Sequence, residues 1–217
     1  GRDSVSEAFR IIRTNMEFMR VKSENLQVVM FTSANPGAGK TFVSSNLAMS
    51  IAQTNKKVVL VDVDIRKGTL SGIFSNSSGR MGLTHYLSGR TDDLNDIIGT
   101  SEEYGKLDII FSGPVPPNPA ELLLSERFDH LIAELRKQYD YIIVDNVPAG
   151  MVADASIVNR VADLTIFVVR SGVMDRRQLP ELEKMYREEQ LRNMSVILNG
   201  VSYERKGYGY GYGYGYG

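Results

Sequence analysis

The residues most able to do chemistry lie in TSANPGAGKT, positions 32–41. Gly37 and Gly39 let a backbone come close to a ligand. Lys40 supplies a positive charge, and Thr41 adds a hydroxyl of the kind that reaches a magnesium ion. The segment follows an apolar run and precedes a helical pattern. The N–H groups of the loop and of the first helical turn are therefore left without internal partners and face an anion. The chemistry these residues suit is phosphate binding with a divalent cation. The spacing matches the GxxxxGK[ST] loop except at Ala34, where that pattern has glycine. The bland alternative is a glycine-rich turn that merely starts a helix. The GKT that follows a strand weighs against it.

Three carboxylates belong with this loop. Asp62 and Asp64 close the run KVVLVDVD, and Asp145 closes YIIVD. In a strand, residues i and i+2 share a face, so Asp62 and Asp64 are expected to point the same way at the carboxyl end of a sheet. Asp145 has the form of a magnesium-holding aspartate, acting through water. A lone aspartate at a strand end is usually a loop cap. Three of them beside a phosphate loop point to a site.

The elements that must position these groups follow from periodicity. Short, β-branched, nearly continuous apolar runs cover 26–33, 57–64, 107–113, 141–146, 164–170 and 194–200. Strands covered on both faces have this pattern. Helical segments at 40–54, 119–138 (broken near Ser125), 153–161 and 175–192 supply the crossovers. The expected fold is α/β: a P-loop NTPase-type doubly wound, mostly parallel sheet with helices on both faces, followed by a flexible C-terminal Tyr/Gly tail. One domain is expected over 1–202, with the tail at 203–217.

Composition narrows the function classes. The chain has 217 residues and a net charge of −1, so no global field draws it to nucleic acid or to an anionic membrane. It has no cysteine, which excludes disulfides and thiolate metal sites and fits a reducing compartment. No apolar run approaches the roughly 20 residues of a membrane helix, and no signal peptide is expected. The start at Gly1, without methionine, is compatible with a domain cut from a longer chain.

Both ends carry further signals. Residues 4–22 read as an amphipathic helix with Val5, Ala8, Phe9, Ile12, Met16 and Met19 at helical spacing. Glu7, Arg10 and Arg13 stack along one face at spacing three; such a stripe is either a solvated face or an interface. At the other end Tyr208, Tyr210, Tyr212, Tyr214 and Tyr216 alternate with glycine. This segment cannot form a core of its own. When extended it puts its phenols on one face about 6.6 Å apart, and from Ser202 onward it spans roughly 50 Å. A substrate segment, an adhesive linker and a tag are all compatible with that composition. Tyr203 is a weaker acceptor candidate. Tyr86, Tyr104, Tyr139, Tyr141 and Tyr186 lie in helix or strand patterns and are read as structural.

ANPGAGKT (34–41), VVLVDVDIR (58–66) and IIVDNVP (142–148), together with GLTHYLSG (82–89), SGPVPPNPAELLLSERF (112–128) and VILNGV (196–201), resemble the bacterial tyrosine autokinases (BY-kinases) of capsule and exopolysaccharide systems. The resemblance spans essentially the whole chain. It implies ATP and Mg²⁺, with ADP as product, and transfer of the γ-phosphoryl to Tyr208, Tyr210, Tyr212, Tyr214 and Tyr216 of the same or a neighbouring subunit. By position it assigns Gly37, Ala38, Gly39, Lys40, Thr41, Phe42 and Asn199 to the nucleotide, with Asn199 near the adenine. Thr41, Asp62 and Asp145 are assigned to Mg²⁺, and Lys40, Asp62 and Asp64 to catalysis, with Asp62 orienting or deprotonating the phenol. It also implies an oligomeric ring, an octamer, with Glu7, Arg10 and Arg13 of the 1–22 helix at the seam. The partners it implies are a transmembrane polysaccharide co-polymerase segment, fused or separate, and an opposing tyrosine phosphatase. Nucleic acid is not among them. The expected location is the cytoplasmic face of the bacterial plasma membrane.

Two departures stand out. Asn146, Val147 and Pro148 follow Asp145 where the family often has a small hydroxyl residue and two prolines. The related partitioning and division-site ATPases carry a second lysine early in the loop, where this chain has Asn35. No HRD or DFG motif of eukaryotic-type kinases is present. A P-loop ATPase that drives assembly or localisation, and a nucleotide-binding scaffold without catalysis, are the competing readings.

Overall fold

The computed structural model describes residues 2–22, 26–74, 81–101, 107–149 and 154–201. The tail tyrosines lie outside the described residues. In chain order the elements are α1 Arg2–Lys22, β1 Val28–Ser33, α2 Lys40–Ala52, β2 Val58–Asp62, α3 Leu83–Leu87, β3 Ile98–Ser101 and β4 Leu107–Ile110. They continue with α4 Pro119–Leu124, α5 Glu126–Gln138, β5 Tyr141–Asp145, α6 Asp154–Asn159, β6 Leu164–Arg170, α7 Leu179–Arg187 and β7 Met194–Asn199.

The seven strands form one sheet in the order β3-β4-β2-β5-β1-β6-β7. Every neighbouring pair is parallel except β3–β4. β1, β2 and β5 are buried at every position, so their near-continuous apolar runs belong to strands covered on both faces. Two cores result. One joins Val28, Met30, Val59, Val61, Ile142 and Val144 to α5 through Phe128, Leu131 and Leu135. The other joins Val29, Phe31, Leu60 and Ile143 to α2 through Val43, Leu47 and Ile51.

The expected α/β sheet is present, with differences in detail. β3, IGTS, is an antiparallel edge strand that periodicity did not reveal. It has three half-exposed residues and one exposed one, with too little apolar alternation to register. The helix expected over 175–192 is α7 with a 3₁₀ turn at Arg176–Gln178, capped by Asp175, ahead of it. The expected break at Ser125 separates α4 from α5, and Ser125 is extended (φ −68°, ψ 152°).

α1 adds a layer outside α2. Its buried stripe is Phe9, Ile12 and Met16, packed into the α2-side core. Val5 and Met19, expected on that stripe, are exposed, as are Ile11 and Phe18. α2 is therefore covered on two sides, by the sheet and by α1.

One carboxylate ties the amino ends of the layers together. Asp163, just before β6, accepts the backbone N–H groups of Gln27 (2.9 Å) and Val28 (2.8 Å). It also accepts both Nη atoms of Arg136 at 2.8 Å, from the last turn of α5. Asp163→Ala removes acceptors from two backbone donors and a guanidinium at once. We expect a loss of about 2 kcal/mol, read as a melting temperature lower by about 4–8 °C. A shift under about 1 °C would contradict this role.

Candidate active site

The loop after β1 lies at the carboxyl end of the sheet, where ligands bind in doubly wound folds. Gly39 caps α2 with φ 92°, a left-handed conformation, and no side chain caps the helix. The first-turn N–H groups, beginning at Lys40, are thereby left for a ligand. A Cβ on Gly39 would collide with Nδ2 of Asn199, and at φ 92° any side chain there is strained.

Beneath the loop sits Asp145. Thr41 Oγ1 donates to its Oδ2 at 2.7 Å, and Thr69 Oγ1 lies 3.4 Å from the same oxygen. Its other oxygen, Oδ1, is buried without a hydrogen-bond partner among the described residues. Burial pushes the Asp145 carboxyl above the usual range, while the Lys40 charge and the Thr41 hydroxyl act in the opposite direction. A buried carboxylate oxygen left open beside a hydroxyl, with a lysine near, fits a hydrated Mg²⁺. That ion takes one or two carboxylates, waters and phosphate oxygens rather than a full protein cage. No group of three or more His, Cys, Asp or Glu side chains is placed to hold a metal among the described residues.

Asp62 is the register partner of Asp145 across β2–β5. It is fully buried, and both its oxygens are occupied: Oδ1 accepts from Asp64 N and Oδ2 from Leu70 N, each at 3.1 Å. Burial, reinforced by the charges of Asp145 and Asp64, raises its carboxyl to about 7. β2 ends at Asp62, so the shared-face rule does not place Asp64. Asp64 lies in the following turn, where its carbonyl accepts from Lys67 N and Gly68 N. The three aspartates do gather at one end of the sheet, but Asp62 and Asp64 are arranged by that turn.

Asn199, at the end of β7, donates from Nδ2 to the Ala38 carbonyl at 3.0 Å. The side chain of Phe42 packs edge-on against Phe9 of α1, with centroids 6.0 Å apart. Sequence reasoning missed two residues. Thr69 joins the Thr41–Asp145 group, and no sequence signal marks it. Arg170 donates to the Gly37 carbonyl at 3.0 Å, and its only mark is to be the charged residue closing LTIFVVR. Asn35, at the position of the ATPases' second lysine, donates to Gln178 Oε1 at 3.0 Å.

On α1, Arg10 forms a two-pronged pair with Glu7 of the same helix, at 2.9 and 2.6 Å, on an exposed surface. Arg13 turns inward and donates to the Ser50 carbonyl at 2.8 Å, fastening α1 to α2. The tail acceptors Tyr208, Tyr210, Tyr212, Tyr214 and Tyr216, with Tyr203 and Tyr104, fall outside the described residues. Tyr86, Tyr139 and Tyr141 are buried, as a structural role requires, whereas Tyr186 faces outward on α7.

A family model described as an AAA domain matches residues 26–174. Tyrosine-protein kinase Etk of Escherichia coli K12 is 38% identical over 201 residues, which are 92% of this chain and 27% of Etk. The chain thus spans about a quarter of that relative. Tyrosine-protein kinase CpsD of Streptococcus pneumoniae is 36% identical over 193 residues, 89% of this chain and 83% of CpsD. The solved kinase domain of Escherichia coli ETK superposes with a TM-score of 0.83 at 39% identity, covering 96% of this chain and 80% of that one. The septum site-determining protein MinD of Pyrococcus horikoshii, solved with Mg-ADP, shares the fold at a TM-score of 0.64 and 22% identity, over 80% of this chain and 70% of that one.

Gly39→Ala forces a side chain into both a left-handed backbone and the Asn199 amide. We expect about 1–3 kcal/mol lower stability and at least about tenfold weaker ADP binding, by denaturant unfolding and calorimetry. A variant that keeps both wild-type values would show that the loop tolerates a Cβ here.

Proposed function

The chain belongs to the bacterial tyrosine-protein kinases, and from that premise we propose that it transfers the γ-phosphoryl of ATP to tyrosines of its own or a neighbouring subunit's C-terminal cluster, Tyr208 to Tyr216. The observation that carries this reading is the Thr41–Asp145 pair under the phosphate loop, with one carboxylate oxygen left open in a buried site.

The roles follow from position. The free N–H groups around Gly37, Ala38, Gly39 and Phe42 cradle the phosphates. Lys40 offsets the charge that builds on the transferring group. Thr41 and Asp145 hold Mg²⁺, which when bound neutralises phosphate oxygens. Asp62 orients the phenol and accepts its proton, and Asp64 supports Asp62 through the turn that carries both. The bond from the γ-phosphorus to the bridging oxygen of ADP breaks, and a bond from the tyrosine oxygen to that phosphorus forms. Each Asp62 oxygen accepts one backbone N–H and keeps a lone pair for a phenol, but Asp62 is fully buried, so the Asp64–Leu70 turn that covers it must open for a phenol to reach it.

The same reading includes assembly and setting. A ring of this chain, an octamer, would place the exposed Glu7–Arg10 pair at its seam. Each phosphotyrosine adds about −1.5 to −2 charge, so several in one tail would be repelled from the aspartate-rich site and would loosen the ring. The function served is control of capsule or exopolysaccharide synthesis. It works with a transmembrane co-polymerase segment, fused or separate, and is reversed by a phosphatase at the inner face of the plasma membrane. Among the described residues no helix is long and apolar enough to cross a membrane.

Incubation with ATP and Mg²⁺, followed by intact-mass measurement, should show stepwise phosphoryl additions mapping to the tail. They should be absent in Lys40→Met. ADP release without a mass gain would favour an ATPase instead. For the ring, Arg10→Ala is a cleaner probe than Arg13→Ala, because Arg13 also fastens α1 to α2. Arg10→Ala should give a smaller particle by light scattering with an unchanged far-UV circular dichroism spectrum, the melting temperature falling only by what assembly contributed. An unaltered assembly would remove Arg10 from the seam.

A further inference from the structure

The phosphate loop is held from outside by three side chains of the β6–β7 edge. Arg170 and Asn199 are register partners at the carboxyl ends of these two strands. They reach consecutive carbonyls of the loop: Arg170 Nη1 to Gly37 O at 3.0 Å and Asn199 Nδ2 to Ala38 O at 3.0 Å. Two positions earlier, Gln178, from the 3₁₀ turn after β6, exchanges hydrogen bonds with the Asn35 amide at 3.0 and 3.4 Å.

Two glycines make room for this arrangement. A Cβ at Gly200 would come within 3.3 Å of Cγ and 3.5 Å of Nε of Arg170, and Gly200 has φ 70°. A Cβ at Gly39 would collide with the Asn199 amide. Asn199 is itself anchored. Its Oδ1 accepts from Gly200 N at 2.9 Å, and its carbonyl accepts from Ser171 N at 2.9 Å.

We propose that Arg170 is a positioning residue for nucleotide binding, acting through the loop and not on the substrate. With Asn199 it holds the Gly37 and Ala38 carbonyls toward the β6–β7 edge, so that the neighbouring N–H groups stay turned toward the phosphates. A peptide plane fixed at its carbonyl is fixed at its N–H as well, because the peptide unit is planar. The clamp therefore sets the direction of amides that phosphates need, before any nucleotide arrives. Preorganisation of this kind lowers the cost of binding. Its effect falls on binding of the ground state and of the transition state alike, and so on KM rather than kcat. The inference rests on the nucleotide-site reading above.

The test measures ADP affinity in the presence of Mg²⁺ by calorimetry, and KM and kcat for ATP, on the full chain. Arg170→Ala should weaken ADP binding and raise KM by about tenfold, the size of one lost charge-assisted hydrogen bond. It should leave kcat at saturating ATP within about twofold and lower the nucleotide-free melting temperature by no more than about 2–4 °C. Arg170→Lys, which keeps a charged donor, should recover most of the affinity. ADP affinity within twofold of wild type in Arg170→Ala would overturn the clamp while leaving the nucleotide site intact. A drop in kcat with KM preserved would overturn it too, by placing Arg170 on the transition state. If the wild-type chain binds no ADP, the nucleotide reading fails and the clamp with it.

Discussion

The buried carboxylate of Asp145 constrains the rest of the site. A charge in that position is costly unless partners surround it. Thr41 supplies one hydrogen bond, Lys40 supplies a counter-charge, and one oxygen is left open. That geometry requires β5 to lie beside β1, so that Asp145 sits opposite Phe31 while the loop after Ser33 folds back over it. It also requires β2 on the other side of β5, which sets Asp62 across from Asp145. Strand order is therefore a statement about the site. Parallel direction puts the carboxyl ends of β2, β5 and β1 on one side, and their adjacency brings the two aspartates and the loop next to one another.

The departures of the loop from its pattern have physical explanations. Ala34 stands where glycine is usual, yet the described non-glycine residues with positive φ are Asn55, Glu189 and Asn193. Ala34 needs no glycine conformation, and its methyl packs against the core. Positive φ is needed at Gly37 and Gly39, and there the sequence keeps glycine. Asn35, in place of a lysine that would reach another subunit, is spent within the chain on Gln178. The loop is closed by its own β6–β7 edge, which agrees with a kinase more than with an ATPase completed by a partner's lysine.

The strands were legible because parallel strands buried on both faces leave nearly unbroken apolar runs. The phosphate loop was legible because its chemistry is local. What escaped depends on tertiary proximity. β3 is short and half-exposed, and its pairing with β4 is invisible in four polar-leaning residues. Thr69 looks like any loop threonine until the turn after β2 carries it to Asp145. Arg170 ends a strand in sequence, but its partner lies 133 positions earlier. The shared-face rule puts Asp64 at the right end of the sheet but stops applying two residues sooner, where β2 ends at Asp62.

The motif on α1 divides into two roles that spacing alone cannot separate. Glu7, Arg10 and Arg13 recur every three residues, but a helix turns 3.6 residues per turn, so a stripe at spacing three drifts around the axis. Over six residues the drift carries Arg13 from the exposed side to the flank that meets α2, where the Ser50 carbonyl accepts its guanidinium. Arg10 stays outside, already paired with Glu7. Any surface that binds Arg10 must therefore compete with, or share, a carboxylate the helix already provides. Arg13 instead makes the orientation of α1 on α2 definite, and α2 begins at Lys40. The outer helix is thus mechanically continuous with the phosphate loop: Arg13 to Ser50 at one end of α2, Phe9 against Phe42 at the other. α1 therefore has a short, packed route to the first turn of α2 and the loop that precedes it.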